Sequence, residues 1–257
     1  PRRFRDWKPE GHGMVDLNRA IVQSCDVYFY NLANNLGIKN MSLFFKNFSF
    51  GSKTGIDMPF ESSGVLPSNE WKKKNIGYKW TDGDTVITGI GQGYFLTTPL
   101  QLAYATSIIA NRGLISVPKL NKDILMKKDK EILEKEEFFK NNIKTEDWEI
   151  ITNAMFDVVN KQNGTAFWSI RNKKNKIAGK TGTVQVYSLS QETDERDDEN
   201  IPDHLKDHSL YVAFAPIDDP QIVVATVIEN VGSGSKFAAP ISNKIINYYL
   251  DKVRERY

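Results

Sequence analysis

The sequence predicts an α+β fold in which helices flank an antiparallel sheet. Three observations carry this reading. Several segments before residue 160 repeat their apolar residues at helical spacing. Three later segments, 176–189, 209–215 and 221–228, alternate with a period of two. A further helical segment, 240–253, closes the chain. The 257 residues suit one large domain or two small ones, and with no internal repeat and no linker a single domain is the simplest organisation.

Each element has a local cause. Residues 1–13 are rich in Arg, aromatic residues, Pro and Gly and read as loop. Asp16 suits the N-cap of a helix that begins at Leu17. A second helix is predicted over 27–36, with Gly37 in the place of a C′ glycine, and its Tyr28, Phe29 and Tyr30 read as core. Asn40 is placed to cap a third, with Leu43, Phe44 and Phe48 on one face. The stretch 51–97 is dense in Gly, Pro, Ser and Asp and predicts loops with little regular structure, including the irregular 89–93. Thr98 followed by Pro99 is a capping hydroxyl with proline at the first helical position. The mostly apolar helix that follows, 99–110, is predicted to be buried and to end at Asn111-Arg112-Gly113. The Lys- and Glu-rich run 122–140 reads as solvated surface, as does Lys72-Lys73-Lys74. An amphipathic helix over 146–160 turns Trp148, Ile151, Met155, Val158 and Val159 inward. The second and third strands form a hairpin through 216–220, and the acidic, apolar-poor 190–207 predicts a mobile loop. The closing helix is apolar at Ile241, Ile245 and Tyr249 and partly at Tyr248.

Composition removes several function classes. Lys and Arg number 34 against 32 Asp and Glu, a net charge of +2, which argues against a dedicated nucleic-acid binder. The one cysteine, Cys25, excludes an internal disulfide and a multi-cysteine zinc module. No apolar run approaches the ~18 residues of a spanning helix. The chain opens on Pro1 without a signal-peptide pattern and reads as a piece of a longer protein, so the missing anchor does not make the parent soluble.

Two short motifs carry chemistry. Lys180-Thr181-Gly182-Thr183 lies on the first predicted strand, among small residues that let a ligand or another backbone approach closely. A strand edge offering an N–H, two hydroxyls and an ammonium suits a peptide carboxylate. Lys53-Thr54-Gly55 has the same letters but lies in a loop and precedes no strand. Ser24-Cys25-Asp26 sits just before an apolar helix, where a serine is ordinarily an N-cap. Paired with the Lys-Thr-Gly strand far downstream, it resembles two of the three motifs of the penicillin-recognising serine acyl-transferases. The third, Ser-x-x-Lys, has two matches by letters, Ser116 with Lys119 and Ser233 with Lys236. Neither suits a nucleophile. Pro118 pushes Val117 out of the helical region, and Ser233 follows the last strand in a glycine-rich turn. Both also lie after Ser24, whereas the nucleophile motif should precede it.

The resemblance then extends along the chain. Residues 3–7, Gly11-His12-Gly13, 24–30, 54–57, Gly83-Asp84-Thr85, 89–94, Thr97-Thr98-Pro99, 163–166 and 179–183 resemble, in order, the signature segments of the class B penicillin-binding proteins of rod-shape elongation. The implied fold is that of the penicillin-recognising transpeptidases and β-lactamases, truncated at its N-terminus. All of 1–257 would be transpeptidase domain lacking the part with Ser-x-x-Lys. The implied activity is D,D-transpeptidation of peptidoglycan stem peptides by serine acyl transfer during elongation, with β-lactams as covalent inhibitors and the isolated piece inactive. The resemblance implies Ser24, Asp26 and Lys180 as catalytic and Thr181, Gly182 and Thr183 as substrate-binding. It implies stem peptides, β-lactam antibiotics and a membrane glycosyltransferase of the elongation machinery as partners, with no nucleic acid, at the periplasmic face of the bacterial inner membrane. Alternatives are a β-lactamase-like or penicillin-sensing domain and a purely structural metal-binding module. Catalysis needs no cofactor. Asp6, His12 and Cys25 are hard, borderline and soft ligands that suit a structural zinc, as at such positions in some family members, with a fourth ligand upstream. The alternative for Cys25 is a small buried hydrophobe. His204 and His208, without a further partner, stay unassigned.

Overall fold

The computed structural model describes residues 3–121, 130–170, 174–186 and 201–253. Expectations for 122–129, 187–189 and 190–200 fall outside them. The chain folds into two units, one formed by Pro1–Val27 with Ile151–Tyr257 and the other by Tyr28–Ile150. Among the described residues no helix is long and apolar enough to cross a membrane.

The first unit holds the sheet. Helix α1, Leu17–Gln23, is capped by Asp16, whose side chain accepts from the Arg19 N–H at 2.8 Å. Strands β1 (Ala178–Val184), β2 (His208–Ala215) and β3 (Ile222–Ile228) form one antiparallel sheet in the order β1-β2-β3. Lys180 stands opposite Val212 and Thr183 opposite Ser209. Among the described residues β1 pairs with β2 alone, which makes it an edge strand of the sheet. Helix α8, Ala238–Tyr248, packs on β2 and β3, and the Ser242 and Thr226 hydroxyls meet at 2.7 Å. The face it buries is Ala238, Ala239, Ser242, Asn243 and Ile246. Ile241, Ile245 and Tyr248 are exposed, so the apolar positions read from the sequence are displaced from the buried stripe.

The second unit is helical. Helix α2, Asp26–Lys46, is broken at Gly37, whose φ of 74° and ψ of 153° are open essentially to glycine alone but are not the αL geometry of a C′ glycine. Asn40 does not cap the second half; its amide donates to the Leu36 carbonyl at 2.8 Å and serves the end of the first half. The stretch 51–97 is less irregular than its composition suggests. It contains α3, Asn69–Asn75, capped by Ser68, and α4, Asp82–Thr88, with a capping box between Thr81 and Asp84. Lys72 is buried in an ion pair with Asp84 at 2.6 Å, over the rings of Trp80 and Tyr94, which corrects its reading as a solvated lysine. Helix α5, Pro99–Ala110, has the predicted proline start and a second capping box from Thr98 and Gln101. The Lys- and Glu-rich run contains α6, Lys130–Asn142, and its Phe139 is buried. Helix α7, Thr145–Asn160, begins in this unit and ends in the first. Phe48, Tyr104, Ile108, Ile115, Phe139 and Trp148 make the core of the helical unit.

Candidate active site

Helix α1 ends at Ser24, which takes φ 56° and ψ 53° and is a C-cap rather than the N-cap a serine before a helix suggests. For a residue with a Cβ that left-handed geometry costs about 1–2 kcal/mol. The surrounding contacts hold it there. The Cys25 N–H donates to the Ala20 carbonyl at 2.9 Å. The Trp7 indole N–H donates to the Gln23 and Ser24 carbonyls at 3.1 and 2.9 Å, and the Trp7 backbone N–H to Asp26 Oδ2 at 3.0 Å. The loop around Trp7 thus clamps the serine's turn from outside.

The Lys180 ammonium donates to Ser24 Oγ at 2.8 Å and to the Thr181 carbonyl at 2.8 Å. Burial pushes its pKa down to about 8, partly offset by the Asp26 carboxylate. Burial also pushes Asp26 up to about 6; the Trp7 N–H and the charge of Lys180 oppose that rise, and Asp6 adds to it. Strand β1 carries this lysine on a backbone that admits no side chain at Gly179, where a Cβ would lie 2.2 Å from the Tyr211 hydroxyl. Close packing continues at Gly234, where a Cβ would lie 2.2 Å from the Gly182 carbonyl. The Thr183 hydroxyl accepts from the Gly234 N–H at 3.4 Å, and the Thr181 hydroxyl lies 2.7 Å from that of Thr165.

Beside this cluster, one ligand atom each from Asp6, His12 and Cys25 lies within 4.8 Å of the other two. Cys25 Sγ is 3.4 Å from Asp6 Oδ2. His12 Nδ1 is 3.3 Å from the same oxygen without hydrogen-bond alignment, and it is buried with no other hydrogen-bond partner. Cys25 is therefore buried, but against polar atoms.

The structure brings Ser24, Asp26, Lys180, Thr181, Gly182 and Thr183 together, with Asp6, His12 and Cys25 adjoining. Of the other motif matches, the Ser233 to Lys236 turn borders this cluster through Gly234, which packs on Gly182 and donates to Thr183. Lys53 is exposed in the helical unit, on a loop where Thr54 bonds to Glu61. Ser116 lies in irregular chain, and Ser233 to Lys236 in the turn before α8. His208 Nδ1 accepts from the Asn230 N–H at 3.0 Å, a role within the fold. Sequence reasoning gave no separate role to Trp7 or Thr165. Their only signal was membership of segments 3–7 and 163–166, which entered through the resemblance.

Ser24 and Lys180 stand side by side, the pairing that two of the three motifs of the penicillin-recognising serine acyl-transferases call for. Residues 1–247 match the family described as "Penicillin binding protein transpeptidase domain", and the chain belongs to that family. It is 42% identical over 256 residues to the peptidoglycan D,D-transpeptidase MrdA of Haemophilus influenzae, covering 98% of this chain and 39% of that protein. It is 42% identical over 249 residues to MrdA of Acinetobacter baumannii, covering 96% and 36%. Among solved structures it resembles the Helicobacter pylori penicillin-binding protein (PBP2) in complex with MreC, with TM-score 0.81 at 34% identity over 96% of this chain and 42% of that one. It also resembles Pseudomonas aeruginosa PBP2 in complex with WCK 5153, with TM-score 0.77 at 35% identity over 96% and 52%. The chain spans about two-fifths of the length of the curated relatives it matches.

Proposed function

We propose that this chain is the C-terminal part of a transpeptidase domain that cross-links peptidoglycan stem peptides during cell elongation, and that the nucleophilic serine and its lysine base lie in the parent protein outside 1–257. The observation that carries this is the 2.8 Å contact between the Lys180 ammonium and Ser24 Oγ, on what is an edge strand among the described residues. In the first half-reaction the serine attacks the penultimate D-Ala carbonyl, the peptide bond breaks, and D-Ala leaves with a proton. In the second, the amine of a neighbouring stem attacks the acyl-enzyme and restores the serine. With Lys180 donating to its oxygen, the Ser24 hydroxyl proton is free to pass toward the leaving amine. The Lys180 charge supplies the positive field that keeps the serine and its base in productive protonation states. Asp26 holds the Trp7 clamp and, with it, the turn that bears Ser24. The Thr181 and Thr183 hydroxyls hold the terminal carboxylate, and the Thr183 N–H forms half of an oxyanion hole. The stem peptide lies along β1 as an added strand. β-Lactams acylate the same serine. The parent would be anchored at the periplasmic face of the inner membrane and would work with a membrane glycosyltransferase.

Asp6, His12 and Cys25 fit a structural zinc. Their three ligand atoms lie within 4.8 Å of one another, and nitrogen, oxygen and sulfur are donors that zinc accepts. The buried Nδ1 of His12, otherwise without a hydrogen-bond partner, points the same way. These residues would brace the Ser24 turn from behind, with a fourth ligand from the parent's preceding segment.

Fluorescent-penicillin labelling of the parent tests the reading. Labelling is expected, with a fall of about a hundredfold in Lys180→Ala; a parent that takes no label, or a variant that labels at the wild-type rate, would overturn it.

A further inference from the structure

The Thr165 hydroxyl lies 2.7 Å from the hydroxyl of Thr181 and is held there by its own turn. The Thr165 N–H donates to the Val22 carbonyl of α1 at 3.2 Å, two residues before Ser24. The Ala166 N–H donates to the Val158 carbonyl at 3.1 Å, and Ala166 is fully buried. Gly164 leaves no freedom, since a Cβ there would lie 2.3 Å from the Val158 carbonyl oxygen. One turn therefore joins the helix that ends at Ser24 to the strand that carries Lys180 and Thr181. A hydroxyl has one proton to give and two lone pairs. If Thr181 gave its proton to Thr165, it would have none for a ligand.

We propose that Thr165 is the positioning residue for the substrate carboxylate: it donates to Thr181 Oγ1 and so aims the Thr181 proton at the terminal carboxylate of the stem peptide or β-lactam. This rests on the functional reading above and deepens it. The donated bond also polarises Thr181, strengthening its own bond to an anion. Thr165 acts through Thr181 and need not touch the ligand.

The test is acylation of the parent protein by benzylpenicillin and by its methyl ester, which lacks the anion. Half-saturating concentration and limiting rate are read separately. Thr165→Val is expected to raise the half-saturating concentration for the acid about tenfold, with the limiting rate and the ester nearly unchanged. Thr165→Ser, which keeps the donor, is expected to stay within about twofold of wild type. In a Thr181→Val background, Thr165→Val should cost nothing further. Equal losses on acid and ester, a serine variant as poor as valine, or additive losses in the double variant would overturn the inference. If valine misfolds, the serine and Thr181→Val,Thr165→Ser arms decide: any loss with serine that persists in the Thr181→Val background counts against it. A wild-type parent that neither substrate acylates overturns the functional reading and this inference with it, an outcome distinct from normal acylation that ignores Thr165.

Discussion

The proposed role of Lys180 predicts acylation that is sensitive to alkaline pH. An ordinary lysine keeps its proton to about pH 10.4, but burial brings this one down to about 8, with Asp26 pulling the other way. The ammonium is the form that donates to Ser24 Oγ and the Thr181 carbonyl. At pH 7 about nine in ten molecules carry it, and at pH 9 about one in ten. The second-order rate of acylation by a penicillin, measured on the parent between pH 6 and 10, should therefore fall about eight- to tenfold from pH 7 to 9, along a limb centred near 8. Lys180→Arg keeps its charge throughout; its rate is lower overall, but that limb should vanish. The same shift bears on stability. The unfolded chain holds the proton up to 10.5 and the folded chain releases it above about 8, so folding costs most below 8 and stability rises with pH through this window. The full change is about 3 kcal/mol. A rate that stays flat to pH 10, or an arginine variant with the same limb, would refute the assignment of Lys180 as the charged partner of Ser24.

Ser24→Gly and Ser24→Ala both remove the hydroxyl, yet glycine tolerates the φ of 56° that alanine does not; chemical denaturation should find the glycine variant about 1 kcal/mol more stable, with both equally slow in acylation. Lys72→Met leaves the Asp84 carboxylate half-shielded, with only Thr81 to satisfy it, and should cost about 3 kcal/mol in denaturant melts. Lys72→Met with Asp84→Asn should recover much of that loss. Metal analysis of the parent should find about one zinc, lost in Cys25→Ala; equal zinc in both proteins would return Cys25 to a packing role.

The legible parts of the fold were those with local causes. Helix α5 was readable because a capping hydroxyl, a proline and an apolar run coincide at Thr98 and Pro99. The three strands were readable because their period is two. The seven-residue helices α3 and α4 are too short to show a period, and only their caps at Ser68 and Thr81 betray them. Lys72 looked solvated because its partner, Asp84, belongs to another short helix. The closing helix was found but its buried face was not, because small residues such as Ala239 and Ser242 fit against the sheet better than Ile241 or Ile245. At the site, the motif pattern paired Ser24 with Lys180 across 156 residues, and the coordinates join them directly. The Trp7 clamp and the Thr165 turn carry no such pattern, since their roles exist only through backbone carbonyls and a neighbouring hydroxyl that folding brings near.

The central claim is that Ser24, Lys180 and Thr181 to Thr183 serve a serine carried elsewhere in the parent. Peptide mapping of the penicillin adduct tests it most directly. The parent, acylated with benzylpenicillin, is digested and the modified peptide sequenced by mass spectrometry. The account predicts a single acylated serine outside 1–257, followed three residues later by lysine, and no adduct on the chain 1–257 alone. An adduct on Ser24, Ser116, Ser233 or any other serine within 1–257 would contradict it.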